Sequence, residues 1–528
     1  MSLLRAFRQP ARYAALLAGA IPVVTFPAAN LEFLAWVCLI PGLLLMHIAP
    51  TVREAGIRGW WFGTGYLLAA MYWLIPNLGP GLLLAAIVLG LLWAAVGLAL
   101  WSAMHPDVTP GRALWALVLV PSAWLASEWI RSWQGIGGPW AVFGASQWQH
   151  PAILALAAVG GIWLVTFALV AANTGLVVTL IAKTTVVRVI GLAGALVAIA
   201  AGPIAFALTA PSPTVRQVTV GLVQPGLTSY AGTRLTRSEQ LTTHMAGRAD
   251  LFVWGESSVG FDIATKPQLL SAIEAASRTA GAEILVNQDA LNPAGAKTKQ
   301  GTLIASTGVK GRYVKTRLVP FGEYIPLRPV LGWLDKISRA AAQNVVSGTG
   351  AHVLRATLPG GHELTIGVLI CFESAFPDMA RVDADYGAQV IVYQTSDSTF
   401  QASWAPAQHA ALGAVRAAET GRPVVQAALT GDSVAFDPRG RLIAWAGSDY
   451  RGVLLVRLGL PPSGARTVYD RLGDYVPWIA LGIVALACLL AVRRSRSGRR
   501  EEHLVQRQAA APSAVLAQGD DPPEPPAT

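Results

Sequence analysis

Ile366-Gly-Val-Leu-Ile-Cys-Phe-Glu-Ser374 is an apolar run, rich in β-branched residues, that ends in a thiol, Cys371, and two residues later a carboxylate, Glu373. Such a run reads as a buried strand, and a strand end is rigid enough to hold a nucleophile. Taken alone, Cys371 would read as a small buried hydrophobe, because free cysteine is among the most buried residue types. The rest of the chain decides between the two.

The chain has 528 residues, 53% of them hydrophobic and 13% charged, which is too apolar for an ordinary soluble protein. Apolar runs long enough to cross a bilayer core of roughly 30 Å lie near 11–28, 31–49, 59–76, 81–104, 113–130, 152–182, 187–209 and 474–492. Between the last two lies a polar, strand-patterned block with ample length for its own core. The expected organisation is therefore a membrane bundle of about seven spans over 1–210, a globular domain over 211–472, a final span over 473–492, and a tail, 493–528, basic and then Pro/Ala-rich, expected to be disordered.

Orientation follows from the short loops. Arg5, Arg8, Arg12, Arg53, Arg58, Arg112, Lys183, Arg188 and the 493–500 cluster fall on one side, and only Arg131 falls in the loops opposite. Both termini are thus expected in the cytoplasm and the globular block outside it. The first apolar run reads as a retained span, not a cleaved signal. The net charge of +10 follows largely from this topology; a basic segment beside a membrane meets lipid headgroups, and no nucleic-acid partner is expected.

Of three cysteines, Cys38 and Cys488 fall within expected spans, so Cys371 is the only thiol in the exported block, where disulfides usually form. An unpaired thiol there needs a chemical reason. No metal is expected, because no second Cys or His stands at ligand spacing around it, and no cofactor is expected, because there is no nucleotide-binding glycine loop. Two further strand ends carry chemistry: Leu251-Phe-Val-Trp-Gly-Glu256 ends in a carboxylate, and the run at 311–315 ends in Lys315. A thiol nucleophile needs a base, a cation for the developing oxyanion and a rigid scaffold. Glu256, Lys315 and Cys371 supply these without a histidine, although singly they would read as a solvated carboxylate, a surface lysine and a core thiol.

Other strands are expected at 215–224, 283–288, 301–307, 351–358, 364–371, 390–395, 423–427, 433–437 and 441–444, with helices near 234–248, 267–280, 378–386 and 405–419. That order suggests a layered α/β domain. In the membrane part, Ser127-Glu-Trp-Ile-Arg-Ser-Trp-Gln-Gly-Ile-Gly-Gly-Pro-Trp140 ends a span in charges and opens a Trp/Gly-rich outer loop. It reads either as an aromatic belt with Glu128 and Arg131 paired, or as a floor for a lipid substrate.

Trp254-Gly-Glu-Ser257, Tyr313-Val-Lys-Thr-Arg-Leu-Val-Pro-Phe-Gly-Glu-Tyr-Ile-Pro326 and Ile370-Cys-Phe-Glu-Ser374 together resemble the nitrilase superfamily. The middle segment, with Glu128-Trp-Ile-Arg131, Gln408-His409 and Arg416-Ala-Ala-Glu-Thr-Gly-Arg-Pro423, resembles its membrane-embedded branch, the bacterial apolipoprotein N-acyltransferases. The resemblance runs to about residue 490. It implies an αββα sandwich beside a bundle of about eight spans, and a Glu-Lys-Cys triad in which Glu256 is the general base, Lys315 stabilises the tetrahedral intermediate and Cys371 forms an acyl thioester. It implies supporting roles for Glu323 and Glu373, and substrate contacts from Glu128, Arg131, Tyr324, Phe372, His409 and Glu419. The implied donor is a phospholipid and the implied acceptor the α-amine of a lipoprotein's diacylglyceryl-cysteine.

Three places depart from the family pattern. Trp-Gly-Glu replaces Trp-Pro-Glu, Gln224-Pro-Gly226 replaces Gln-x-Asn, and Thr395-Ser-Asp-Ser-Thr-Phe400 replaces Thr-Asn-Asp-Ala-Trp-Phe. A membrane-tethered amidase or hydrolase using the same triad, and a non-catalytic lipoprotein-binding factor, are the alternative readings.

Overall fold

The computed structural model describes residues 10–228, 230–326, 328–332 and 344–509. Arg5 and Arg8 and the tail from 510 onward lie outside them. Among the described residues, five helices are long and apolar enough to cross a membrane: Gly81–Met104, Pro110–Arg131, Pro151–Ile181, Thr185–Leu208 and Tyr475–Arg493. The runs expected at 11–28 and 31–49 form shorter apolar helices, Pro10–Thr25 and Glu32–His47, where Pro22 and Pro41 sit at the starts of helical segments and limit their length. The span expected at 59–76 is instead the helix Val52–Ala70. It begins earlier because Thr51 caps it, accepting from Glu54 N at 3.2 Å, and because Glu54 is buried between Arg12 at 2.6 Å and Arg58 at 3.3 Å.

The globular block is a two-sheet sandwich. One sheet has the order β12-β1-β2-β3-β4-β5, built from β1 (Arg216–Gln224), β2 (Leu251–Trp254), β3 (Glu283–Leu291), β4 (Lys297–Ala305), β5 (Gly308–Val314) and β12 (Gly452–Leu460). The other has the order β11-β10-β9-β8-β7-β6, from β6 (Val353–Thr357), β7 (Glu363–Ile370), β8 (Val390–Thr395), β9 (Val424–Ala428), β10 (Ser433–Phe436) and β11 (Leu442–Ala446). The middle of each sheet is parallel, β1-β2-β3 and β7-β8-β9, and the flanks are antiparallel. Helices α1 (Ala231–His244) and α2 (Pro267–Ala280) cover the first sheet, and α3 (Pro377–Asp385) and α4 (Ala405–Thr420) the second. This is the expected αββα sandwich. Every residue of β2, β8 and β9 is buried, the reason these strands read as continuous apolar runs rather than alternating ones. Between the sheets, Gln394 Nε2 donates to Trp254 O at 2.9 Å and to Leu285 O at 3.2 Å.

Strand β12 was not among the expected strands, although Gly452-Val-Leu-Leu-Val-Arg-Leu-Gly-Leu460 is bounded by a glycine and by Pro461. It pairs antiparallel with β1 along its whole length. The described residues up to Leu481 form one compact unit and those from Gly482 a second, so residue 210 marks no break in packing. The last helix continues from Tyr475 to Ala509, so the basic stretch expected to begin a disordered tail at 493 is helical as far as 509.

The kinked helix Pro151–Ile181 carries the sandwich. Gly160 (φ −129°) and Gly161 (φ +69°) break its geometry, and a Cβ on Gly161 would stand 2.7 Å from the Tyr469 ring. Glu419 of α4 accepts from the freed Ile162 N at 2.8 Å, the carboxylate capping the second half-helix.

Candidate active site

Three strand ends deliver the expected triad to one point. Glu256 follows β2, its backbone N–H donating to Thr395 O at 3.1 Å. Lys315 follows β5, its N–H donating to Lys299 O at 2.9 Å. Cys371 follows β7 and turns the chain at φ +50°, a conformation rare for a side-chain-bearing residue and concentrated at functional turns. Lys315 Nζ lies 3.3 Å from Glu256 Oε1 and 2.8 Å from Glu323 Oε1, and the Cys371 thiol lies within electrostatic reach of both Glu256 and Lys315.

The electrostatics bear on the expected roles. Burial opposes charge on Lys315, but the Glu256 and Glu323 carboxylates outweigh it and hold its pKa well above the ordinary lysine value. Lys315 is therefore a fixed cation and no base. Burial pushes the Cys371 thiol up and the Glu256 charge pushes it further, with Lys315 opposing. The resting Cys371 side chain is a thiol, so to act as the expected nucleophile it would need a base. Burial would raise the Glu256 pKa, but Lys315 and then Lys299 outweigh it and the carboxyl lies below its usual range.

The two supporting carboxylates hold this geometry. Glu323 Oε2 accepts from Val319 N at 2.9 Å, tying the 319–323 loop to the lysine that its other oxygen grips. Glu373 is fully buried and accepts from Tyr313 Oη at 2.8 Å, Thr316 N at 2.7 Å, Arg317 N at 2.9 Å and Ile370 N at 2.8 Å. It thus joins the nucleophile's turn to the residues on both sides of Lys315.

The residues expected to touch substrate divide. Phe372 borders a cavity of about 400 Å³ whose walls include Leu67, Met71 and Leu82 of the bundle, Trp140, the 319–322 loop and Phe400. Glu128 and Arg131 are buried in the bundle and form no ion pair with each other; Glu128 accepts from Phe143 N at 2.8 Å and Arg131 donates to Trp140 O at 2.6 Å. They shape the outer loop whose Trp140 ring lies 6.2 Å from Phe372 and 5.4 Å from His409. Tyr324 is half-buried, and its carbonyl accepts from Phe321 N at 2.7 Å.

His409 and Glu419 are both buried and bonded to protein partners. His409 Nδ1 lies 3.0 Å from Asp397 Oδ1, and Nε2 lies 3.1 Å from the Cys371 carbonyl and 2.7 Å from Ser374 Oγ. A carbonyl only accepts, so any hydrogen bond to the Cys371 carbonyl is donated by the ring, whereas the Ser374 hydroxyl can take either role. Burial would lower this pKa, but Asp397 and the Cys371 carbonyl raise it. His409 thus clamps the nucleophile's turn from behind. Glu419 caps the membrane helix and pairs with Arg416 at 2.6 Å.

Two departures are compensated locally. A Cβ on Gly255 would stand 2.0 Å from Leu429 N, so glycine lets β2 end against the backbone of the other sheet. Gly226 has φ +83°, and the place of a Cβ there is filled by the Arg451 guanidinium, with Nε 1.9 Å away. In the third, Asp397 serves His409 while Phe400 packs 5.1 Å from Trp73 of the bundle. The sequence reading missed Lys299, whose ammonium lies 3.7 Å from Glu256 Oε1; its only trace is a lysine in a strand opposite an aspartate. Among the described residues no group of three or more His, Cys, Asp or Glu is placed to hold a metal ion.

Residues 18–175 match the apolipoprotein N-acyltransferase N-terminal domain and residues 220–464 the carbon-nitrogen hydrolase domain. The apolipoprotein N-acyltransferase of Rhodopseudomonas palustris is 30% identical over 531 residues, covering 91% of this chain and 95% of that protein. That of Geobacter metallireducens is 28% identical over 521 residues, covering 91% and 95%. Among solved structures, Nit3 of Saccharomyces cerevisiae, a member of branch 10 of the nitrilase superfamily, aligns at 17% identity and a TM-score of 0.36, covering 48% of this chain and 93% of that one.

Proposed function

The chain belongs to the apolipoprotein N-acyltransferase family, and from that premise we propose that it moves an acyl chain from a phospholipid, through a thioester on Cys371, to the α-amine of a lipoprotein's diacylglyceryl-cysteine. The observation that carries this reading is the assembly of Glu256, Lys315 and Cys371 beside an apolar cavity walled jointly by membrane helices and catalytic loops. A soluble amide would need no such wall, whereas an acyl chain entering from a bilayer does.

In the first half-reaction Glu256 takes the thiol proton as Sγ bonds to the ester carbonyl carbon. The carbonyl oxygen becomes an oxyanion, for which Lys315 is the positioned cation. Collapse breaks the carbon–oxygen ester bond, and the proton on Glu256 passes to the departing lysophospholipid hydroxyl. In the second half the neutral amine attacks the thioester, Glu256 receives the nitrogen's proton, the carbon–sulfur bond breaks and the thiol is regenerated as an amide leaves. The thioester keeps the acyl group activated for the amine, and the apolar approach limits access of water.

The distribution of Arg and Lys supports a multi-pass inner-membrane protein with cytoplasmic ends and an extracytoplasmic sandwich. On that topology the catalytic domain meets lipoproteins that have already crossed the membrane. Incubating the purified protein with acyl-labelled phospholipid, with and without a diacylglyceryl peptide, tests the reading. Label is expected in a peptide amide when the acceptor is present; label released as free fatty acid in both arms would make the protein a hydrolase.

A further inference from the structure

Lys299 stands opposite Asp289 in the antiparallel register of β3 and β4. Its ammonium lies 2.6 Å from Ser257 Oγ, 3.1 Å from Asp289 Oδ1 and 3.7 Å from Glu256 Oε1. The carboxylate oxygen it approaches is the one Lys315 Nζ approaches at 3.3 Å. Ser257, the residue after Glu256, sits at φ +54°; its N–H donates to Asn287 Oδ1 at 3.0 Å, and its hydroxyl donates to Asp289 Oδ1 at 2.9 Å while accepting from Lys299. The strained turn behind the base is therefore tied directly to β3 through Asn287 and Asp289, and Lys299 adds the tie to β4.

We propose that Lys299 is a positioning residue for the general base: its ammonium fixes the Glu256 carboxylate toward the Cys371 thiol and keeps it ionised, so that two lysines serve one carboxylate. The inference rests on reading Glu256 as the base. A surface ion pair between Lys299 and Asp289 would need neither the Ser257 bridge nor the approach to Glu256. The ionisable groups around Glu256 are Lys315 with Glu323 beyond it, Lys299 with Asp289 beyond it, and Cys371 with His409 and Asp397 behind its turn. Of these, Lys315 and Lys299 are the cations that most lower the Glu256 pKa.

The test is the pH dependence of Cys371 alkylation by iodoacetamide in the full-length protein in lipid nanodiscs, with Cys38→Ala and Cys488→Ala removing the other thiols. Removing a cation near a carboxylate raises its pKa, so Lys299→Met and Lys299→Gln should move the acid limb of the profile up by about 1 pH unit. Lys299→Arg should leave it near the wild-type position. An unmoved limb in a folded Met or Gln variant, or an Arg variant shifted as far as Met, overturns the proposal. Thermal unfolding identifies variants that fold, and the milder Gln change covers a Met variant that does not. Alkylation involves no acyl donor, so a shifted limb in a protein that forms no acyl adduct would keep the role of Lys299 and remove the acyl-transfer reading; adduct formation with an unmoved limb would do the reverse.

Discussion

Cys371 occupies a backbone conformation that costs roughly 1–3 kcal/mol for a residue with a side chain, and its neighbours hold it there. Glu373 accepts from Ile370 N on one side of it, and His409 Nε2 donates to its own carbonyl on the other. Removing only the sulfur leaves these ties intact. Cys371→Ala is therefore expected to abolish acyl transfer while the melting temperature stays near the wild-type value. Lys315 is held between two carboxylates with almost no exposed surface, so its compact ammonium cannot be exchanged for a wide planar fork. Lys315→Arg should fail nearly as badly as Lys315→Met, each losing about 10²–10³ in rate. A Lys315→Arg enzyme with near-normal turnover would mean that positive charge alone suffices.

At the scale of elements, the site depends on strand ends cross-tied between two sheets. Gly255 lets β2 end against Leu429, and a methyl group there must push the sheets apart or displace Glu256. Gly255→Ala is expected to destabilise by about 1–3 kcal/mol and to lower the rate of thioester formation, read by denaturation midpoint and acylation rate together; a variant with wild-type values for both would contradict the packing argument. Glu373→Gln should cost about 1–3 kcal/mol, because its amide would bring a donor to a site where four donors already converge. The strand ends were legible in the sequence because β2 and the last five residues of β7, 366–370, are buried on both faces and read as apolar runs. Strand β12 and Lys299 were not, because their meaning lies in pairing: β12 joins β1 from the opposite end of the domain, and Lys299 matters only once the register sets it across from Asp289. For the same reason His409 and Glu419, identifiable as motif members, gave no hint that they would face inward as braces.

At the scale of the whole molecule, the sandwich and the bundle up to Leu481 are one compact unit, joined where Glu419 caps the kinked membrane helix and where Trp73 donates to Gln408 Oε1 at 3.2 Å. Burial pushes the Glu419 carboxyl up to about 7 against the pull of Arg416. A carboxyl raised in the folded state stabilises below its unfolded value and loses that contribution as pH rises through the folded one, here from about 4.3 to about 7. Glu419→Gln should flatten the stability profile across that window, and Glu419→Ala, which strips the cap from Ile162 N, should cost about 1–3 kcal/mol; unfolding midpoints measured across pH check both. The central claim is that the acyl group travels between two lipid-bound partners on Cys371, and a single-turnover chase tests it most directly. Protein charged with labelled phospholipid, freed of excess lipid and digested, should carry one acyl group on the peptide containing Cys371, labile to hydroxylamine and absent from Cys371→Ala. Adding a diacylglyceryl peptide should move that label into a stable amide. Label arriving in the amide without ever residing on Cys371 would contradict the account.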